Sequence, residues 1–331
     1  MAGRRQKKSG RRSYAWRYRG RIVACVFVEV IIICALVIMI GWNKGVKEWF
    51  EQFEQPVLKE VDISGINSPN AILMQARGGK ILGEINGEAQ IYPASMTKIM
   101  TVILGIENFD DLDEKITLTN EMFSELYEQD ATQAGFQPGE EVRLIDLLYG
   151  AMLPSGAECC IALADTISGS EADFAELMNK KARKLGMENT HFCDSTGLHN
   201  PDHYSTVKDI AVLMKYCIKN DTFREIVETS RHSTGVTNIH PDGITYYSTM
   251  FKNLSDPTVT GGKILGGKTG YTSEAGHCLV SFAEIEGREY IFVSAGASGA
   301  DGNTIPHIQD AVTVYNRVGA AIEEKMNDNN K

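Results

Sequence analysis

The longest apolar run in the chain covers residues 22–40, IVACVFVEVIIICALVIMI, with Glu29 as its lone charge. As a helix at about 1.5 Å per residue it spans roughly 28 Å, the thickness of a bilayer core. A charge at mid-bilayer costs about 2.5–3.5 kcal/mol, which so apolar a run can outweigh. Beyond it, Val46, Trp49, Phe50, Phe53 and Val57 recur at helical spacing, so residues 42–66 read as a juxtamembrane stalk. From residue 67 the pattern becomes that of a packed domain. Residues 71–74 and 81–85 flank Gly78-Gly79 and predict a β-hairpin. Residues 95–220 carry mostly helical periodicity, broken at Pro138, Pro154 and Pro201. Three strand-like runs follow between 264 and 297, then a helix over 310–324 and a polar tail over 326–331. Strands, then helices, then strands predict an α+β domain whose antiparallel sheet pairs the two ends of the chain, beside a mostly helical subdomain.

Charge fixes the direction of the apolar run. The chain has 331 residues and a net charge of −10. Residues 1–21 hold nine basic residues and no acid, which leaves 24 basic against 43 acidic residues, or −19, for the rest. Nine basic residues precede the run, and Lys44 and Lys47 are the only two that follow closely. Residues 1–21 are therefore expected in the cytoplasm, 22–41 as an uncleaved signal anchor, and the remainder outside. A cleaved signal peptide would have a shorter apolar core and a small-x-small site, and Gly41-Trp42-Asn43-Lys44 offers none. An acidic main body excludes nucleic acid as a partner, because phosphate needs a positive footprint. Apolar content of 43% and charged content of 23% exclude wholesale disorder. Seven cysteines, two of them inside the apolar run, are too sparse for a disulfide scaffold and read as buried free thiols.

Three short segments can carry chemistry. In Ser95-Met96-Thr97-Lys98 the serine and lysine share a face at the start of an all-apolar helix, IMTVILGI. A serine hydroxyl needs a neighbouring base, and a lysine serves when desolvation or a second cation favours its neutral form. Chance alone supplies about one S-x-x-K in a chain this long, and Ser205-Thr206-Val207-Lys208 is a second copy. There Thr206 and Asp209 read as a helix capping box, so Ser205 is assigned to structure. Lys268-Thr269-Gly270 occurs once, on a glycine-loosened strand where a lysine and a hydroxyl can hold a carboxylate. Ser155 lies in Pro154-Ser155-Gly156-Ala157-Glu158, and Ser155 with Glu158 also reads as a capping box.

The order S-x-x-K, S-x-N-like, K-T-G resembles penicillin-binding proteins and class A β-lactamases. The segments YPASMTKIMT, MLPSGAE, STGLHNPDHYSTVKDIA and GGKTGYTSEAGHCLVSFA are similar to those of the serine D-alanyl-D-alanine carboxypeptidases, over residues 67–325. The resemblance implies a β-lactamase/DD-peptidase fold and an acyl-enzyme on Ser95, with Lys98 as proton acceptor and Ser155 relaying protons to the leaving amine. Lys268 and Thr269 would bind the substrate carboxylate beside Gly270 and Tyr271, and the N–H groups of Ser95 and Tyr271 would form the oxyanion hole. The implied substrate is a peptidoglycan stem peptide ending in D-Ala-D-Ala, with β-lactams as inhibitors and no cofactor. Ala157 replaces the asparagine of the family pattern, whose amide contacts substrate and helps to fix the lysine. A β-lactamase would need a deacylating glutamate in E-x-x-L-N, a string the chain lacks. A zinc enzyme would draw on His191, Cys193, Asp194, His199 and His203, whose spacing fits no established zinc pattern. A non-catalytic penicillin-binding sensor is the remaining alternative, and Ala157 is what favours it.

Overall fold

A computed structural model describes residues 58–124, 126, 131–299 and 305–329. The apolar run at 22–40, its basic flank and the aromatic stripe up to Val57 lie outside the described residues. Among the described residues no helix is long and apolar enough to cross a membrane.

Six antiparallel strands form the central sheet. They are β1 (Asn70–Gln75), β2 (Ile81–Ile85), β7 (Thr258–Val259), β8 (Gly262–Thr272), β9 (Gly276–Ile285) and β10 (Arg288–Ala297). Their order is β2-β1-β10-β9-β8-β7, so the first strands pair with the last one, as the sequence predicts. Two small ribbons, β3 (Lys115–Thr117) with β4 (Glu141–Arg143) and β5 (Arg231–Ser233) with β6 (Thr245–Tyr247), stand outside it.

Strand side chains alternate between faces, and here both faces are covered. Ile72, Val280, Phe282, Ile291 and Val293 point into a core shared with α1 (Lys98–Asn108), α2 (Leu144–Met152), α3 (Ala157–Ser168), α4 (Glu171–Leu185), α5 (Val207–Cys217) and α6 (Asp221–Glu228). Leu73, Leu279, Ile285 and Phe292 point the other way, onto Val314, Tyr315, Val318 and Ile322 of α8 (Pro306–Asn329). A short α7 (Thr249–Asn253) precedes β7. Helix α1 is buried from Lys98 through Gly105, as its all-apolar sequence requires.

Three boundaries differ from the sequence reading. Residues 58–66, placed in the stalk, belong to the domain. Leu58, Val61 and Ile63 are buried under α8, the Val61 N–H donates to the Leu82 carbonyl at 2.7 Å, and Arg317 donates to the Asp62 and Ser64 carbonyls. The last helix runs through Asn329, so most of the expected polar tail is helical. The Ser155–Glu158 capping box does not form. Gly156 is the N-cap residue of α3 and no side chain caps it, while Ser155 adopts φ +72°. Glu158 turns away and accepts the N–H groups of Ala134 and Gly135 at 2.6 and 2.8 Å.

Candidate active site

Ser95 sits in a 3-10 turn, Ala94–Thr97, that feeds directly into α1 at Lys98. The turn is strained, since Ala94 holds φ +47°. Lys98 is only 3% exposed, and its Nζ donates to Ser95 Oγ at 3.1 Å and to the Thr196 carbonyl at 2.6 Å. A nucleophile and a base therefore meet within hydrogen-bond reach, as one helical turn places them.

Strand β8 forms the next wall. A Cβ at Gly270 would lie 3.0 Å from the Ser95 nitrogen and 3.1 Å from the Ala94 Cβ, so only glycine lets the strand approach the turn this closely. That approach puts Lys268, Thr269 and Tyr271 along one edge of the cleft. Lys268 is fully buried and donates to the Thr269 carbonyl at 2.9 Å. Burial drives its ammonium well below the usual lysine range, and the nearby Lys98 charge drives it further. Tyr271 is 62% exposed and packs its ring against His277.

The Ser155 segment joins through α7. The Leu153 carbonyl accepts the Thr249 N–H at 3.1 Å, and the Thr249 and Thr269 hydroxyls are 2.7 Å apart. One turn into α3, buried Cys160 lies in the electrostatic field of both Lys98 and Lys268, and its thiol donates to the Gly156 carbonyl. These contacts bring the three segments singled out in the sequence into one neighbourhood. Ser155 is buried, and its hydroxyl makes no hydrogen bond to Ser95 or Lys98 among the described residues.

The fourth wall is the loop after α4. Asp194 Oδ1 accepts Thr196 N–H, Thr196 Oγ1 and Gly197 N–H at 2.7, 2.8 and 2.6 Å, and Asp194 Oδ2 lies 3.0 Å from His203 Nδ1. Burial opposes the Asp194 charge, but the His203 ring and the Thr196 and Gly197 donors outweigh it and bring the carboxyl down to about 2. His203 Nε2 reaches Thr97 Oγ1 at 2.9 Å. Gly197, at φ +81°, packs so tightly on Ala94 that any Cβ would collide with the Ala94 carbonyl. Of the polar cluster that invited a metal reading, Asp194 and His203 thus brace the Ser95 turn, whereas His191 bonds the Asp202 carbonyl and His199 lies near Glu274. Among the described residues no group of three or more His, Cys, Asp or Glu side chains is arranged to hold a metal ion. Thr196 and Thr249 went unmarked by the sequence reading. Both work through partners far away in the chain, and no local spacing encodes that.

The second S-x-x-K copy is structural. Ser205 pairs its backbone with Ile91 and its hydroxyl with Thr190, while Lys208 bonds Glu88 at the surface. Thr206 caps α5 by accepting the Asp209 N–H at 3.0 Å. Glu171, a half-buried carboxylate between the second and third segments, is occupied by the Ser195 N–H and hydroxyl.

A serine and a lysine within hydrogen-bond reach, beside a strand that carries a buried lysine, have the geometry that serine acyl transfer needs. The model of the peptidase family S11, described as D-alanyl-D-alanine carboxypeptidase, matches residues 57–299, and the chain belongs to that family. It is 33% identical over 229 residues to the D-alanyl-D-alanine carboxypeptidase DacF of Bacillus subtilis, covering 69% of this chain and 57% of that protein. It is 34% identical over 236 residues to the D-alanyl-D-alanine carboxypeptidase of Streptomyces sp. strain K15, covering 69% and 78%. The chain thus spans somewhat more than half the length of DacF, and likewise 58% of DacC of Escherichia coli. The crystal structure of the Streptomyces K15 DD-transpeptidase superposes with a TM-score of 0.69 at 28% identity, over 79% of this chain and all of that one.

Proposed function

We propose that the protein is a serine D-alanyl-D-alanine carboxypeptidase acting on peptidoglycan stem peptides. The observation that carries this reading is the 3.1 Å contact between Lys98 Nζ and Ser95 Oγ. In this reading Lys98 takes the Ser95 proton as Oγ attacks the carbonyl carbon of the penultimate D-Ala. The N–H groups of Ser95 and Tyr271 receive the developing oxyanion. The C–N bond breaks, Ser155 relays the proton held by Lys98 to the leaving amine, and the terminal D-Ala departs. Water then cleaves the Ser95 ester. Lys268 and Thr269 hold the terminal carboxylate, with Gly270 leaving room for the peptide backbone along β8. β-Lactams enter as mimics of the same dipeptide and acylate the same serine.

The setting belongs to the same proposal. Residues 22–41 anchor the protein in a bacterial membrane, 1–21 remain cytoplasmic, and 42–57 separate the membrane from an extracytoplasmic catalytic domain. The excess of basic residues before the run, nine against Lys44 and Lys47 just after it, supports this topology.

The test is the intact mass of the full chain after exposure to benzylpenicillin, beside Ser95→Ala. A stable adduct on the parent and none on the variant is expected, followed by D-Ala release from a D-Ala-D-Ala-terminated peptide. An adduct without D-Ala release identifies a sensor. Rapid hydrolysis of the penicillin without an adduct identifies a β-lactamase. An adduct on Ser95→Ala overturns the assignment of the nucleophile.

A further inference from the structure

A neutral lysine amine has two N–H bonds and one lone pair, and only the lone pair can take a proton from Ser95. Rotation about the Cε–Nζ bond passes through three staggered positions, of which one aims the lone pair at the serine. Something must choose it. Ala157 offers no side-chain polar group for that task. The second partner of Lys98 is the Thr196 carbonyl, at 2.6 Å, and a carbonyl can only accept. With one N–H pinned there, the position that wastes the lone pair on the carbonyl is excluded, and one of the two that remain presents the lone pair to the Ser95 hydroxyl.

The carbonyl is itself held from two sides. Ser195, the residue before it, gives its carbonyl to the Thr101 hydroxyl on α1 at 2.6 Å. Thr196 and Gly197 give their N–H groups to Asp194, so the turn is drawn around a half-buried carboxylate. Asp194 then grips His203, which is 2% exposed, and His203 grips Thr97. Asp194 can only accept from the ring at Nδ1, and Nε2 shares a hydrogen bond with the Thr97 hydroxyl. Thr97 stands between Ser95 and Lys98 in the same 3-10 turn. The chain of contacts therefore starts at the nucleophile's turn, crosses the loop and returns to the base.

We propose that Asp194, His203 and Thr97 are positioning residues whose relay aims the Thr196 carbonyl at Lys98, and that this carbonyl orients the amine in place of a side-chain amide at position 157. The proposal rests on the reading of Lys98 as the proton acceptor. It assigns the loop after α4 to the rate of acylation and not to substrate affinity.

The test uses the full-length chain and benzylpenicillin, reading the saturating acylation rate separately from the half-saturating concentration. Thr97→Val, nearly isosteric, and Asp194→Asn are expected to slow saturated acylation about 10-fold or more, since small misplacements of a base cost rate steeply. Half-saturation is expected to stay within about 3-fold, because neither residue touches the ligand. Thr97→Ser, which restores the hydroxyl, recovers most of the rate lost in Thr97→Val. Melting temperatures identify a variant that has unfolded, and Thr97→Val decides the matter if Asp194→Asn does not fold. Unchanged acylation in folded Thr97→Val overturns the relay. So does a loss confined to half-saturation, or an equal loss in Thr97→Ser. A parent chain that forms no adduct overturns the underlying reading instead, and shows it before any relay variant is made.

Discussion

Lys268 has no exposed surface, and nothing among its contacts neutralises it; it donates to a backbone carbonyl and stands near a second lysine. Its folded pKa lies below the value of about 10.5 it regains on unfolding. Between those two values the unfolded chain holds a proton that the folded chain lacks, so this residue costs stability at neutral pH and the cost fades as pH rises toward 10.5. Lys268→Met, close in volume, is therefore expected to raise the melting temperature by about 2 °C or more at pH 7 while penicillin acylation falls sharply. A melting scan at pH 7 and pH 10 checks both parts, since the gain should shrink at the higher pH. A variant less stable than the parent at pH 7 would mean that the buried ammonium is compensated after all. Residues of this kind were legible in the sequence because their spacing is local: Ser95 and Lys98 lie one turn apart, and Lys268-Thr269-Gly270 is contiguous. Asp194 and His203 were visible only as a polar cluster. What they do depends on Thr97, which is 106 residues away from His203.

Elements show the same division between local and distant causes. The hairpin of β1 and β2, the apolar helix α1 and the Thr206 cap of α5 follow from neighbouring residues, and the sequence announces them. The start of α3 does not follow. Ser155 and Glu158 have capping-box spacing, yet Pro154 and the left-handed Ser155 turn the chain so that Glu158 meets Ala134 and Gly135 instead. Only Oε1 is satisfied; Oε2 is buried and makes no hydrogen bond. Burial raises the Glu158 carboxyl above its ordinary value despite the two N–H donors. A raised carboxyl contributes stability below the unfolded value of about 4.3, and that contribution is lost as pH climbs through the folded value. Glu158→Gln keeps an acceptor for the two N–H groups and removes the charge. Urea midpoints at pH 5 and pH 8 should therefore fall less for Glu158→Gln than for the parent. Parallel pH dependence in the two proteins would show that Glu158 is already accommodated as a carboxylate.

At the scale of the molecule, the chain closes on itself. Strand β1 pairs with β10, and the segment before β1 is tied to α8 by one buried carboxylate. Asp310 accepts Asn67 N–H and Nδ2 at 2.8 Å each, and Ser68 N–H and hydroxyl at 2.9 and 2.6 Å. The pattern of strands, helices and strands foretold that the two ends would share a sheet. It could not foretell that residues 58–66 join them, because their partners, Leu82 and Arg317, lie elsewhere in the chain. The Ser95 cleft lies on the helical side of β8, whereas Asp310 lies on the face covered by α8, so closure and catalysis can be separated by experiment. Asp310→Ala strands the buried Ser68 donors and should cost roughly 1–3 kcal/mol for each donor left unpaired. Asp310→Asn, which keeps one acceptor oxygen, should lose less. Hydrogen exchange should quicken in residues 58–68 and the first turns of α8 while α1 and α3 keep their protection, because the helical core has its own contacts. Penicillin acylation of folded Asp310→Asn should then match the parent. If protection falls equally in α1 and α3, the two ends of the chain and the catalytic core unfold as one cooperative unit.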